Sequence, residues 1–156
     1  MSKPIALQRV RGIVVYRNGA LGDTIVTFPV LQNLRLAFPH VPLHFVASKE
    51  VGLLAQTCGL TDSVVSADSE WARKWFAGDA AGMRALVEGA DALIAFTSED
   101  DELKETARRA GFGFVRFQSP ALPANTTIHI VDHLLRALNG LIDGPLERIP
   151  SIRLPR

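Results

Sequence analysis

A strand, a glycine turn and a helix start follow one another in residues 13–29, IVVYRNGALGDTIVTFP, and this unit leaves few architectures open. Gly12–Tyr16 is apolar without alternation, the pattern of a strand covered on both faces, which points to a parallel sheet with helices on either side. The run stops at Arg17-Asn18, a short turn carries Gly19 and Gly22, and Asp23 opens a helix. A turn of this kind leaves backbone N–H groups unpaired at the positive end of a helix dipole. The carboxyl edge of an open α/β sheet is also where ligands bind. Asp23 places a carboxylate at that edge.

Strand-like and helix-like segments alternate over the rest of the chain. Asp23 to Phe38 reads as one helix with Val26, Val30, Leu34 and Ala37 on a single stripe. Pro29 lies too deep for its first turn and is expected to bend it. Leu43–Ala47 is a second strand, Lys49–Cys58 a helix closed by Gly59, and Ser63–Ser66 a short third strand. Helical pieces over Asp68–Phe76 and Ala80–Glu88 lead to a fourth strand at Ala92–Phe96. Ser98 is expected to cap a helix with acids in its first turn, Arg108 and Arg109 in its last and Gly111 after it. That order complements the dipole and needs no ligand to explain it. Phe114–Phe117 is a fifth strand, and Thr126 or Thr127 is expected to cap a long final helix burying Ile128, Val131, Leu135, Leu138 and Ile142. The fold expected is α/β, a Rossmann-like, three-layer, doubly wound parallel sheet over residues 1–144. Pro145 to Arg156, with three prolines and no period, reads as a linker leaving the domain.

Composition narrows the function classes. A net charge of +1, from 17 basic and 16 acidic residues, argues against nucleic acid as the main partner. The lone Cys58 cannot form an internal disulfide and fits a reducing cytoplasm, with a buried place at a helix end as its expected role. Met1 to Gly12 carries Lys3, Arg9 and Arg11 without an apolar core, so no signal peptide is expected. No run approaches the roughly 18 apolar residues of a membrane span, so no span is expected, and peripheral contact with a membrane stays open.

With these residues in view, the chain resembles glycosyltransferase family 9, the ADP-heptose:lipopolysaccharide heptosyltransferases and their bacterial relatives. The resemblance lies in the opening strand, Arg17 followed by GALGD (19–23), Pro29, the LxxLRxAFP pattern of Leu31 to Pro39, and the strand at Leu43–Ala47. His129 with Asp132, followed by Leu134, Leu135 and Leu138, is similar to the family's closing helix. The middle departs from the pattern, because Phe96 leads straight into Thr97-Ser98 and the acidic helix where many members carry a polar glycine-containing loop.

The resemblance implies the N-terminal half of a GT-B architecture. This half binds a sugar acceptor, a glycan or lipid-linked saccharide, while a C-terminal domain beyond residue 156 binds the nucleotide-sugar. It implies inverting transfer of a heptose-like sugar, with no cofactor or metal and with the chain inactive without its donor half. Asp23 matches the family's catalytic carboxylate, and Arg17, Asn18, Gly19, Gly22, Thr24 and His129 fall at substrate-binding positions. Taken by themselves, Gly19 and Gly22 supply turn conformations and close backbone approach. Arg17 offers a guanidinium fork to a carboxylate or phosphate.

Other readings of the residues stay open. A standalone Rossmann-like module holding a phosphate or nucleotide without catalysis also fits the glycine turn. A nicotinamide enzyme does not, since Ala47-Ser48-Lys49 lacks the acid that holds a ribose there, although Glu50 follows. His129 and His133 stand at metal-compatible spacing without an evident third ligand. Trp71 and Trp75, one turn apart with Phe76 beside them, either stack on a sugar or pack on the sheet.

Overall fold

A computed structural model of the chain describes residues 10–87 and 89–154. Lys3, Arg9, Glu88 and the last two residues lie outside the described residues, so the N-terminal reading is left as the sequence has it. The β-branched runs form a five-stranded, all-parallel sheet in the order β3-β2-β1-β4-β5. Its strands are β1 (Ile13–Tyr16), β2 (Leu43–Ala47), β3 (Ser63–Ser66), β4 (Ala92–Ala95) and β5 (Phe114–Phe117). The strand expected at the centre is there. All four residues of β1 and of β4 are buried, while β3 and β5 at the edges are half-buried throughout.

Alternate residues of β1 serve two cores. Ile13 and Val15 join Phe45, Ile94, Phe28, Leu31, Leu34, Leu135 and Leu138 on one face. That face is covered by α1 (Leu21–Ile25), α2 (Phe28–Ala37), α3 (Lys49–Thr57) and α7 (Ile130–Leu135). Val14 and Tyr16 join Val46, Leu93, Trp71, Trp75, Met83 and Phe112 on the other. Here α4 (Glu70–Phe76), α5 (Ala80–Leu86) and α6 (Asp101–Arg109) form the cover. Residue Gly52 shows how tightly the layers meet: a Cβ there would lie 2.2 Å from Cγ1 of Val64.

Several local expectations are corrected. The helix read from Asp23 to Phe38 is two helices, α1 and α2, broken at Val26-Thr27. Pro29 is therefore the second residue of α2, where its missing N–H costs nothing. Asp100, not Ser98, caps α6, its carboxylate accepting from the Leu103 N–H at 2.9 Å. Neither threonine caps α7. His129 does so through Nδ1, which accepts from the Val131 N–H, and the helix tightens after one and a half turns into a 3₁₀ turn at Arg136–Leu138. Gly59 closes α3 as expected, with φ +75 and the Leu60 N–H returning to the Ala55 carbonyl. Cys58 beside it is half-buried rather than buried.

The segment after Gly144 is tied back onto α2. The Asn33 side chain donates to the Glu147 carbonyl (2.8 Å) and accepts from the Glu147 N–H (2.9 Å). Gln32 repeats the arrangement two residues on, donating to the Ile149 carbonyl and accepting from the Ser151 N–H. Two side-chain amides thus act as a strand edge for the chain's last described stretch, and Arg148 adds a bidentate pair with Asp132.

Candidate active site

In a parallel sheet of order 3-2-1-4-5 the connections run to opposite sides of β1, and the crevice opens between the carboxyl ends of β1 and β4. The turn 17–23 sits at that point. The Arg17 N–H still bonds the Val46 carbonyl at 2.9 Å, continuing the sheet, and the next backbone N–H to find an acceptor is that of Thr24, which bonds the Ala20 carbonyl. The N–H groups of residues 18–23 have no backbone acceptor among the described residues.

Asp23 is exposed on α1. Beneath it lies Arg17, which is only 6% exposed. Its guanidinium donates to the Asp23 carbonyl at 3.4 Å, and its buried Nε has no partner among the described residues. Burial pushes the Arg17 guanidinium below its ordinary value, and the Asp23 carboxylate pulls it part of the way back. Arginine remains charged through such shifts. The site is thus a buried cation facing an exposed carboxylate across one turn.

The other expected site residues divide. Asn18 is exposed at the start of the turn. Neither Gly19 nor Gly22 has a positive φ. A Cβ on Gly19 would make ordinary 3.6 Å contacts with Arg17 and Asp23, and one on Gly22 would meet nothing within 4 Å. The turn's own geometry therefore does not require either glycine. Thr24 is fully buried, its hydroxyl held against the Ala20 (2.8 Å) and Gly19 (3.3 Å) carbonyls, so it braces the turn from inside rather than facing the crevice. His129 is exposed but its Nδ1 is committed to capping α7. His133, by contrast, is buried, with Nε2 2.9 Å from the Ser119 carbonyl. Among the described residues no three His, Cys, Asp or Glu side chains cluster as a metal site.

Sequence reasoning missed a second group at the same edge. Trp71 and Trp75 are fully buried, which settles them as packing residues, yet Phe76 is 53% exposed. Trp75 lies 5.5 Å from the ring of Tyr16 and 6.1 Å from that of Phe117, the last residues of β1 and β5. Helix α4 therefore crosses the carboxyl ends of the strands, and Phe76 stands on the same rim as the 17–23 turn. The signal was present in the spacing: if Trp71 and Trp75 face inward one turn apart, the next residue points about 100° away.

No family model and no curated protein matches the sequence. Solved structures share its fold. A glycosyl transferase family 9 protein from Veillonella parvula DSM 2008 superposes with a TM-score of 0.63 over 90% of this chain and 43% of its own, at 19% identity. E. coli heptosyltransferase WaaC, solved with ADP-2-deoxy-2-fluoro heptose and with ADP, gives 0.53 over 83% of this chain at 15% identity. The chain spans 48% and 47% of the two WaaC structures, so it covers less than half the length of these three structures.

Proposed function

We propose that this chain is the acceptor-side domain of an inverting family 9 glycosyltransferase of GT-B architecture. It would take a heptose-like sugar from a nucleotide-sugar held by a second domain and pass it to a glycan or lipopolysaccharide-type acceptor in the cytoplasm. The observation that carries this reading is the exposed Asp23 carboxylate set over the buried, incompletely paired Arg17 at the switch point of the sheet. Asp23 is the base that takes the proton of the acceptor hydroxyl as its oxygen attacks the anomeric carbon and the diphosphate leaves with the bonding pair. Arg17 is the counter-charge for an anionic group on the acceptor, a carboxylate or phosphate. The open space over Gly22 gives that acceptor room to approach the backbone. Asn18 lines the approach, and His129 contributes a ring at the start of α7.

The test is a transfer assay on the chain joined to its donor half, with ADP-heptose as donor and a saccharide acid as acceptor. Steady transfer that inverts the anomeric configuration is expected. Absence of transfer, with tight binding of free phosphate or nucleotide to residues 1–156 alone, would favour a non-catalytic binding module instead.

A further inference from the structure

Away from the rim, α5 leads down to β4 and α6 leads down to β5, so the last turns of both helices lie toward the amino edge of the sheet. Arg84 stands in the last turn of α5 and Arg109 in the last turn of α6. Both line one concavity of about 750 Å³, whose other walls include Gly78, Ala80, Ala81 and Ala85. These small residues keep the space open between the two arginines. Both arginines are exposed, so a solute can reach their N–H groups.

The neighbours of each guanidinium are neutral. Arg109 donates to the Gly78 carbonyl and to the Thr106 hydroxyl, each at 3.4 Å, which turns its side chain back toward the connection between α4 and α5. Arg84 lies over Gly111, where a Cβ would come within 3.6 Å of its guanidinium. Neither arginine is ion-paired among the described residues. The carboxylate of Asp79 also lines the concavity, but it is engaged elsewhere. It accepts from the Gly82 N–H at 2.9 Å and pairs with Lys74 at 3.3 Å. Gly82 lets that pair sit close, since a Cβ there would lie 2.6 Å from the carboxylate and 2.8 Å from Cδ of Lys74.

The order of charges along α6 is explained by its dipole, but the dipole offers only about half a negative charge at the end of the helix. Arg84, Arg108 and Arg109 bring three positive charges to it. The excess faces an open space with small walls. Two planar guanidiniums in that setting suit a doubly charged oxyanion, which offers each fork a pair of acceptor oxygens. We infer that Arg84 and Arg109 form a phosphate site on the helical layer over the amino half of the sheet, which takes a phosphate monoester or a diphosphate. It is separate from the rim and independent of the acceptor-side reading.

Amide-resolved NMR titration of residues 1–156 with sodium pyrophosphate tests it, in about 150 mM NaCl to screen long-range attraction. Saturable shifts are expected at Gly78, Ala80, Ala81 and Gly111, with a Kd on the order of 1 mM. Arg84→Gln and Arg109→Gln should each weaken binding about fivefold, and the double variant should abolish it. Arg109→Lys keeps the charge and loses the fork, so its affinity should fall between those of the wild type and Arg109→Gln. Thermal midpoints should stay within about 2 °C, since the substituted side chains are exposed, and this separates lost binding from lost fold. Absence of shifts at these amides, shifts confined to residues 18–23, or unchanged affinity in the double variant would overturn the site. Flotation with phosphatidylcholine vesicles, with and without phosphatidic acid, identifies the source of the phosphate. Capture by phosphatidic acid that the double variant loses assigns a lipid headgroup, and pyrophosphate binding without capture assigns a soluble ligand. Binding here with an inactive two-domain enzyme would sink the transferase reading alone, and transfer without binding here would sink this site alone.

Discussion

At the scale of single residues, Arg17 and Asp23 make opposite demands on the fold, and their variants separate the roles. A buried guanidinium with an unpartnered Nε is a stability cost, and replacing a poorly compensated buried charge by an apolar side chain of similar volume is often neutral or stabilising. Arg17→Met is therefore expected to keep or raise the thermal midpoint, by up to about 4 °C for roughly 1 kcal/mol in a chain of this size. It should also abolish binding of a saccharide acid such as hexuronate. A large fall in midpoint would make Arg17 a structural residue. Asp23→Asn is isosteric, and the residue is exposed, so the fold should hold within about 1 kcal/mol. An amide cannot take the hydroxyl proton, and losing a general base costs on the order of 10² to 10⁴ in rate. Comparing kcat and thermal midpoint for the two-domain enzyme decides the matter. A near-normal kcat removes Asp23 from the mechanism.

At the scale of elements, the expectations that held and those that did not sort by physical cause. Buried strands were readable because β1 and β4 are continuous apolar runs and β2 is one but for His44, each bounded by turn residues, and glycine stops were readable because αL closure at Gly59 and Gly111 needs no partner elsewhere. Helix starts were less so: Ser98, Thr126 and Thr127 all have the right side chains, and tertiary packing chose Asp100 and His129 instead. The attachment of the tail was unreadable for the same reason, since its partners Gln32 and Asn33 lie more than 100 residues earlier. Asn33 is 5% exposed and also donates to the Pro29 carbonyl at 2.7 Å. Asn33→Ala should thus remove its bonds to the Pro29 carbonyl and to both Glu147 backbone groups, cost roughly 1 kcal/mol, lower the midpoint by a few degrees and speed amide exchange at Glu147 and Ser151. Unchanged exchange there would show that the strap is held by other contacts.

Acid sensitivity belongs to the β2–β3 edge. Burial lowers the pKa of His44 despite the nearby Asp62 charge. A histidine depressed in the folded state is protonated more readily in the unfolded chain, so its contribution is complete above about pH 6.5 and is lost as pH falls toward the folded value. Asp62 is lowered too: burial opposes its charge, and the Leu43 N–H and the Arg35 guanidinium together outweigh that. Its contribution persists until pH falls below about 4. Denaturant midpoints measured from pH 7 to pH 3 should fall in two stages, and His44→Gln should flatten the first while leaving the second. A first stage that survives His44→Gln would assign it to another group.

At the scale of the whole molecule, the order of the sheet places the groups proposed for sugar transfer on one rim and leaves that rim open. Leu21 is 55% exposed, Phe76 53% and Leu122 39%, each on a connection at the carboxyl ends of the strands. Concavities of about 750 Å³ between α5 and α6 and about 500 Å³ between α2 and the tail lie elsewhere. A sheet edge of this kind supplies one wall of a cleft. Glycosyl transfer needs the other wall, because water competes with the acceptor hydroxyl at the anomeric carbon and an exposed carboxylate serves both nucleophiles alike. The apolar side chains on the rim are suited to meet such a wall, whose closure would dry the site. The rim's chemistry was legible in the sequence as far as GALGD and the strand before it. The facing surface was not, since none of the described residues builds it. Residues 1–156 alone are accordingly expected to transfer no sugar and to bind ADP-heptose more weakly than micromolar. Calorimetry with ADP-heptose and a coupled assay for ADP release measure the two halves of this statement. Micromolar affinity would place a donor site within this chain, and steady turnover would show that the rim by itself excludes water well enough for catalysis.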